Sequence, residues 1–203
     1  GFATALGSIA QFVVTLVMGG IALVLLAIRV DALPWPSGWY STALVSLTAL
    51  VAAGALVLYL VPRLLRQLLL LIPVLARLER ASAVLDAFTT RELWSVLGLS
   101  VLRYMVFAGQ FVLLCVLFQA GVSPATGSLV VPVVYLVSTL VPTVLLTELG
   151  VRGGAAVAFF LPLGGAEAPV LLATTALWLM NLVLPALVGA VLLVTARIRT
   201  LDP

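Results

Sequence analysis

From residue 3 to residue 28 the chain carries no charged side chain, and this run limits what it can fold into. A helix needs about 20 apolar residues to cross the roughly 30 Å hydrocarbon core of a bilayer. Residues 41–61, 93–119 and 168–195 are further runs of spanning length. Only 8% of the 203 residues are charged and 64% are hydrophobic, against about 25% charged in an ordinary soluble domain. A chain with so little polar surface must be covered by lipid. The expected fold is therefore all-α: a polytopic transmembrane helical bundle forming a single domain over residues 1–203. The chain begins at Gly1, is apolar almost at once and lacks the basic start of a signal peptide. It reads as the later, C-terminal part of a longer protein.

Arginine sets the expected orientation. All ten basic residues are Arg. Arg63, Arg66, Arg77, Arg80 and Arg91 cluster in residues 62–91, and Arg197 and Arg199 follow the last span. The positive-inside rule places both segments in the cytoplasm. The connection holding Trp35, Trp39 and Tyr40 then lies outside, its aromatics suited to the membrane interface, as does the loop at 120–127. On a helical wheel Arg63, Arg66, Gln67, Arg77 and Arg80 share one side, so residues 62–91 read as an amphipathic cytoplasmic helix on the membrane surface. Pro73 is expected to kink or break it. An ordinary linker is the alternative.

Residues 128–163 must leave from the outside and return there. They contain Pro132 and Pro142 and are interrupted by Glu148, Gly150, Arg152, Gly153 and Gly154. The stretch from 155 to 163 is too short to span. A broken or re-entrant helical hairpin with its turn at 148–154 satisfies the parity, and its tip is expected inside the membrane.

Several chemistries are poorly served. The chain has no His and one Cys, which removes the commonest general base and every cysteine-based metal motif. Of its seven acids, only Glu148 falls within a membrane segment. No phosphate-binding Gly-x-x-x-x-Gly-Lys-Ser/Thr loop is present. An enzyme is not expected, nor a cofactor, a metal or a nucleic-acid partner.

Charges inside a bilayer cost about 2.5–3.5 kcal/mol each on insertion scales, and they usually face a partner or a water-filled cavity. Arg103, about ten residues into its span, is the clearest case. Ser100, Tyr104 and Gln110 fall on its side of the helix. A packing arginine bound to a neighbour's carbonyls is the plain alternative. Glu148 and Arg152 are four apart and can pair if this piece is helical. Gly150, Gly153 and Gly154 favour instead a turn with exposed amides, followed by a half-helix starting near Gly154 whose N-terminus would attract an anion. Discontinuous helices build substrate sites in many transporters; a cytoplasmic turn with a snorkelling Arg is the other reading. Polar stripes run along two more spans: Thr4, Ser8, Gln11, Thr15, Gly19 and Ala22 in the first, and Thr174, Trp178, Asn181, Pro185 and Gly189 in the last. Close helix packing and cavity lining both produce such stripes. Pro185 should bend its helix, and Cys115 reads as inert core. Two arginines and one glutamate leave one net positive charge, which suits a phosphate.

The run Pro142-Thr143, Glu148-Leu149-Gly150-Val151-Arg152, then a span with Trp178, Asn181, Pro185 and Gly189, resembles the lysylphosphatidylglycerol synthase transmembrane-region (flippase-like) family. The stretch Leu102-Arg103-Tyr104-Met105-Val106-Phe107 with Gln110, and the first span with Gln11, Thr15 and Gly19, look like its standalone members, which lack the aminoacyltransferase domain. The family commonly shows Gly-x-Gly-Val-Arg-Glu. Here Gly153 follows Arg152 and the acid comes earlier, at Glu148. A Pro-Gly-Lys-x-Gly-Glu-like motif of upstream helices is missing. The resemblance implies a multi-pass protein of the bacterial cytoplasmic membrane that moves or binds an anionic phospholipid or lipid-linked intermediate between leaflets. Arg103, Glu148, Gly150 and Arg152 would form the headgroup site, and Gln11, Gln110 and Asn181 would line the path. Anionic membrane lipids are then the expected partners. The alternative is an accessory or scaffold subunit, docked through its small-residue stripes to a membrane protein or to another copy of itself.

Overall fold

The computed structural model describes residues 2–29, 39–64, 67, 84–85, 87–141 and 146–199. All regular structure among them is helical. Helix α1 is Phe2–Arg29, α2 is Trp39–Leu60, α3 is Thr90–Leu117, α4 is Pro124–Leu140 and α5 is Leu146–Phe160. A 3-10 turn, Leu161–Leu163, follows α5. The last span comprises α6 (Glu167–Trp178), a π turn (Leu179–Val183) and α7 (Leu184–Arg199). Four helical stretches are long and apolar enough to cross a membrane, and the protein is a helical membrane bundle. The connection at 30–38 and most of the basic segment, residues 68–83, lie outside the described residues; of that segment's end, Val84 and Leu85 are buried.

Local sequence explains where the helices start. Thr89 caps α3 in a reciprocal box: Glu92 takes the Thr89 N–H at 2.7 Å, and the Thr89 hydroxyl accepts the Glu92 N–H. This satisfies two donors that a helix start leaves open. Ser123 caps α4 by accepting from the Thr126 N–H at 3.1 Å, with Pro124 in the first turn, where its missing N–H costs nothing. The hairpin's first arm thereby starts ahead of the expected residue 128.

Helix α1 is the hub, packing against α2, α3 and α4. Its approach to α4 depends on Gly19: a Cβ there would fall 2.5 Å from the Leu136 Cβ and 3.0 Å from the Pro132 carbonyl oxygen. Lipid tails are as apolar as leucine, so close packing of this kind, rather than escape from water, holds membrane helices together. The Tyr59 hydroxyl donates to the Leu93 carbonyl at 3.0 Å and ties the end of α2 to the start of α3.

Helices α4 and α5 form the hairpin. At the end away from its turn, the Ala166 N–H donates to the Ala120 carbonyl at 2.9 Å. Gly121, at φ +82°, lets the two loops touch, since a Cβ there would lie 2.7 Å from the Gly164 oxygen. The arms have 17 and 15 residues, or about 25 and 22 Å at 1.5 Å per residue. Both fall short of the ~30 Å core. Helix α3 beside them has 28 residues. The Tyr135 hydroxyl donates to the Phe107 carbonyl at 3.0 Å, and this antiparallel register brings the end of α4 level with Arg103. The first turns of α3 continue past the hairpin.

The expected turn at 148–154 is corrected. These residues are helical: α4 ends at Leu140 and α5 begins at Leu146, and residues 142–145 lie outside the described residues. Of the three glycines Gly153 serves packing instead: it is buried, and a Cβ on it would lie 3.3 Å from Leu171 of α6, whereas Gly150 and Gly154 are exposed and face open space. No half-helix starts at Gly154, so its amide is not a free anion donor. Pro185 is accommodated by the π turn just before it, where the Leu184 N–H reaches back to the Leu179 carbonyl.

Candidate functional site

Because the hairpin stops short, it leaves two spaces between α1, α3, α4, α5 and the last span. The first is a cavity of about 250 Å³ walled by Gln11 and Thr15 of α1, Tyr104 and Phe107 of α3, Tyr135 and Thr139 of α4, Glu148 and Arg152 of α5, and Leu177, Trp178, Asn181 and Leu182 of the last span. The second is a wider groove of about 640 Å³, lined by Thr4, Ser8, Ser100 and Arg103 among others. Gln11, Thr15 and Thr139 line both, so the two spaces meet there.

Helix α5 places Glu148 and Arg152 one turn apart, and they form an ion pair. The Arg152 guanidinium carbon also sits 5.6 Å from the centre of the Tyr135 ring, a cation–π arrangement that strengthens as water is excluded. Tyr135 packs edge-on against Tyr104, with ring centres 5.8 Å apart, and lies against Phe111 at 6.1 Å. This aromatic block closes the cavity on one side. On the other, the Asn181 amide donates to the Gln110 side-chain oxygen at 3.0 Å, joining α3 to the π turn. A π turn points its side chains differently from the flanking α-helix and often marks a functional position.

Among the described residues, four buried side-chain polar atoms find no partner within the protein: Gln11 Oε1, the Tyr104 hydroxyl, Arg152 Nε and Trp178 Nε1. All four residues stand in the wall of the cavity. An unmet buried polar group costs about 1–3 kcal/mol, and native proteins hold few of them. Tyr104 is only 2% exposed, so its hydroxyl reaches no bulk water. Other polar residues of the α1 and α6 stripes behave differently. Thr15 and Thr174 are buried but donate to the carbonyls of Gln11 and Val170, at 2.9 Å each. Thr174 is a packing residue, and Thr15 lines both spaces with its own hydrogen bond already met. Gln11, Trp178 and Asn181 line the cavity.

Comparison with known protein families, curated proteins and solved structures finds no match. The likeness to the flippase-like family rests on its motif residues alone.

Of the residues singled out in the sequence, Gln11, Glu148, Arg152 and Asn181 are brought together in the cavity wall. Gln110 supports it by holding Asn181 rather than by lining it. Arg103 lines the groove instead, its guanidinium carbon 5.3 Å from the centre of the Phe107 ring. The pooled charge of Arg103, Glu148 and Arg152 is thus divided between two spaces. Gly150 is exposed with open space where a Cβ would be, and it is on the wall of neither. Tyr135 and Thr139 were not marked by the sequence. Their one signal is their spacing, four apart on α4, which puts both on one helical face.

Proposed function

We propose that this chain is a flippase-like protein of the bacterial cytoplasmic membrane. It binds the headgroup of an anionic phospholipid or lipid-linked intermediate in the cavity and groove, and passes it between leaflets. The observation that carries this reading is the gathering of four unpartnered buried polar atoms in one wall. A volume of about 250 Å³ lies just below the roughly 300–1,000 Å³ of sites for drug-sized ligands. It suits one headgroup and excludes an acyl chain, which would stay in the surrounding lipid. The hairpin's short reach supports the same reading, since it leaves the groove between the cavity and one end of the bundle.

The test is transbilayer movement of labelled anionic lipid in vesicles holding the full-length chain. The wild type should accelerate movement over protein-free vesicles. A combined Arg103→Gln and Tyr104→Phe variant should lose at least about tenfold of that rate, because binding that lowers the barrier is removed. No acceleration by the wild type, or equal rates in both, would exclude the proposal.

One observation favours a second reading, an accessory subunit in a larger membrane complex. Residues 184–195 of α7 are exposed except for the half-buried Gly189, from Leu184 at 55% to Leu193 at 74%. Purification with a stoichiometric partner that is lost on enlarging Gly189 would favour this reading over the first.

A further inference from the structure

The two spaces differ in charge. In the cavity the Arg152 cation is matched by Glu148, so the wall is neutral overall and presents a carboxylate. In the groove Arg103 has no acidic side chain within ion-pair distance among the described residues. An ionised phosphate placed in the cavity would meet Glu148 as a like charge. It would also leave Gln11 Oε1 unmet, because a phosphate dianion only accepts hydrogen bonds. The orphan atoms form a mixed set: Trp178 Nε1 and Arg152 Nε only donate, Gln11 Oε1 only accepts, and the Tyr104 hydroxyl does both. A group that both donates and accepts answers all of them, and an alcohol does so without bringing a charge. The rings of Phe107, Tyr135 and Trp178 in the same wall offer flat surfaces to the C–H faces of a small polyol.

We infer that the cavity and groove divide one headgroup between them: Arg103 holds its phosphate in the groove, and Tyr104, Trp178 and Gln11 hold an uncharged, hydroxyl-bearing group attached to that phosphate. The substrate class is a phospholipid with a polyol or sugar headgroup. Gln11 and Thr139 line both spaces and mark where the ester link between the two parts passes. This rests on the headgroup reading of the site.

The experiment is displacement of a fluorescent phosphatidylinositol from the full-length chain in detergent micelles. The competitors share one acyl composition: phosphatidylinositol, phosphatidic acid, uncharged glucosyl-diacylglycerol and phosphatidylcholine. Phosphatidylinositol should compete best. Phosphatidic acid, lacking the hydroxyls, and the glucosyl lipid, lacking the phosphate, should each be weaker by about fivefold or more, since a site built for hydrogen bonds rejects a ligand that leaves them unmade. Arg103→Gln should erase the advantage over the glucosyl lipid while keeping that over phosphatidic acid. Tyr104→Phe, which keeps the ring and its packing, should do the reverse. Phosphatidic acid equal to phosphatidylinositol in the wild type, with both above phosphatidylcholine, would overturn the division and leave the headgroup reading standing. So would variants that each lose both preferences. Four lipids competing alike would overturn the headgroup reading itself.

Discussion

The first and last spans are nearly interchangeable by composition: both are long, both are strongly apolar, and each carries a polar stripe. In the fold they part. In α1, 56% of the most apolar window is buried within the protein, whereas in the last span only 6% is. Helix α1 is surrounded by α2, α3 and α4, while α7 runs on beyond the hairpin with hardly a neighbour after the π turn. Hydropathy reports that a helix belongs in a bilayer. It cannot report whether the apolar surface around it is protein or lipid, because both are equally good solvents for leucine. The stripe decides, and it decides differently along its length. In α1 it is small and close-packed at Gly19. In the last span it faces the cavity at Trp178 and Asn181, then continues past the hairpin at Pro185 and Gly189, where it packs against nothing described.

The contrast can be broken by matched substitutions. The largest effect is expected from Leu26→Ala, at a residue with 0% exposure, against Leu193→Ala at 74%. The first should cost about 2–5 kcal/mol of stability; the second should stay within about 0.5 kcal/mol. Thermal unfolding in one detergent checks both. Equal losses would mean that α7 is packed against a partner in solution. Next, Gly19→Ala should cost about 1–3 kcal/mol because its methyl meets the Leu136 Cβ and forces α1 from α4. Gly189→Ala meets open space and should be neutral, or gain up to about 1 kcal/mol from helix propensity. The smallest effect sharpens the comparison at the one place where the last span is held. A double-mutant cycle between Gln110 and Asn181 should give a coupling near 0.6 kcal/mol, the average for such bonds in membranes. A coupling of zero would mean that the bond is not made in the bilayer.

How far the sequence could be read follows from the same physics. Long apolar runs located the four spans to within a few residues, because crossing a bilayer is a matter of length and polarity. The hairpin was legible from the parity of the flanking loops and from one stretch too short to span. Its turn was misplaced because glycine has two uses, turning a chain and letting helices touch, and only the neighbour tells them apart. At Gly153 that neighbour is Leu171, eighteen positions away in sequence and invisible to local pattern. The spacing of Glu148 and Arg152 allowed a pair only if the segment was helical, and the glycines argued for a turn instead; the helix settles it and the pair forms. That Arg103 stands apart from them could not be seen, since helical periodicity gives the face of a residue on its own helix and not the space that face meets. Tyr135 lay hidden in an apolar run, and its importance comes from its contacts with Arg152, Tyr104 and Phe107, all on other helices.

The central claim is that the cavity keeps its unpaired polar atoms for a ligand. Tyr104 tests it most directly, being 2% exposed with a hydroxyl that nothing in the protein meets. Thermal unfolding of wild type and Tyr104→Phe would be measured with and without saturating phosphatidylinositol. Without the lipid the variant should be at least as stable as the wild type, because it loses an unmet group and keeps the ring. With the lipid the wild type should rise, as binding to the folded state requires, and the variant should rise much less. Equal stabilisation of both, or a variant already weakened without lipid, would show that the hydroxyl serves the fold and that the cavity is not the headgroup site.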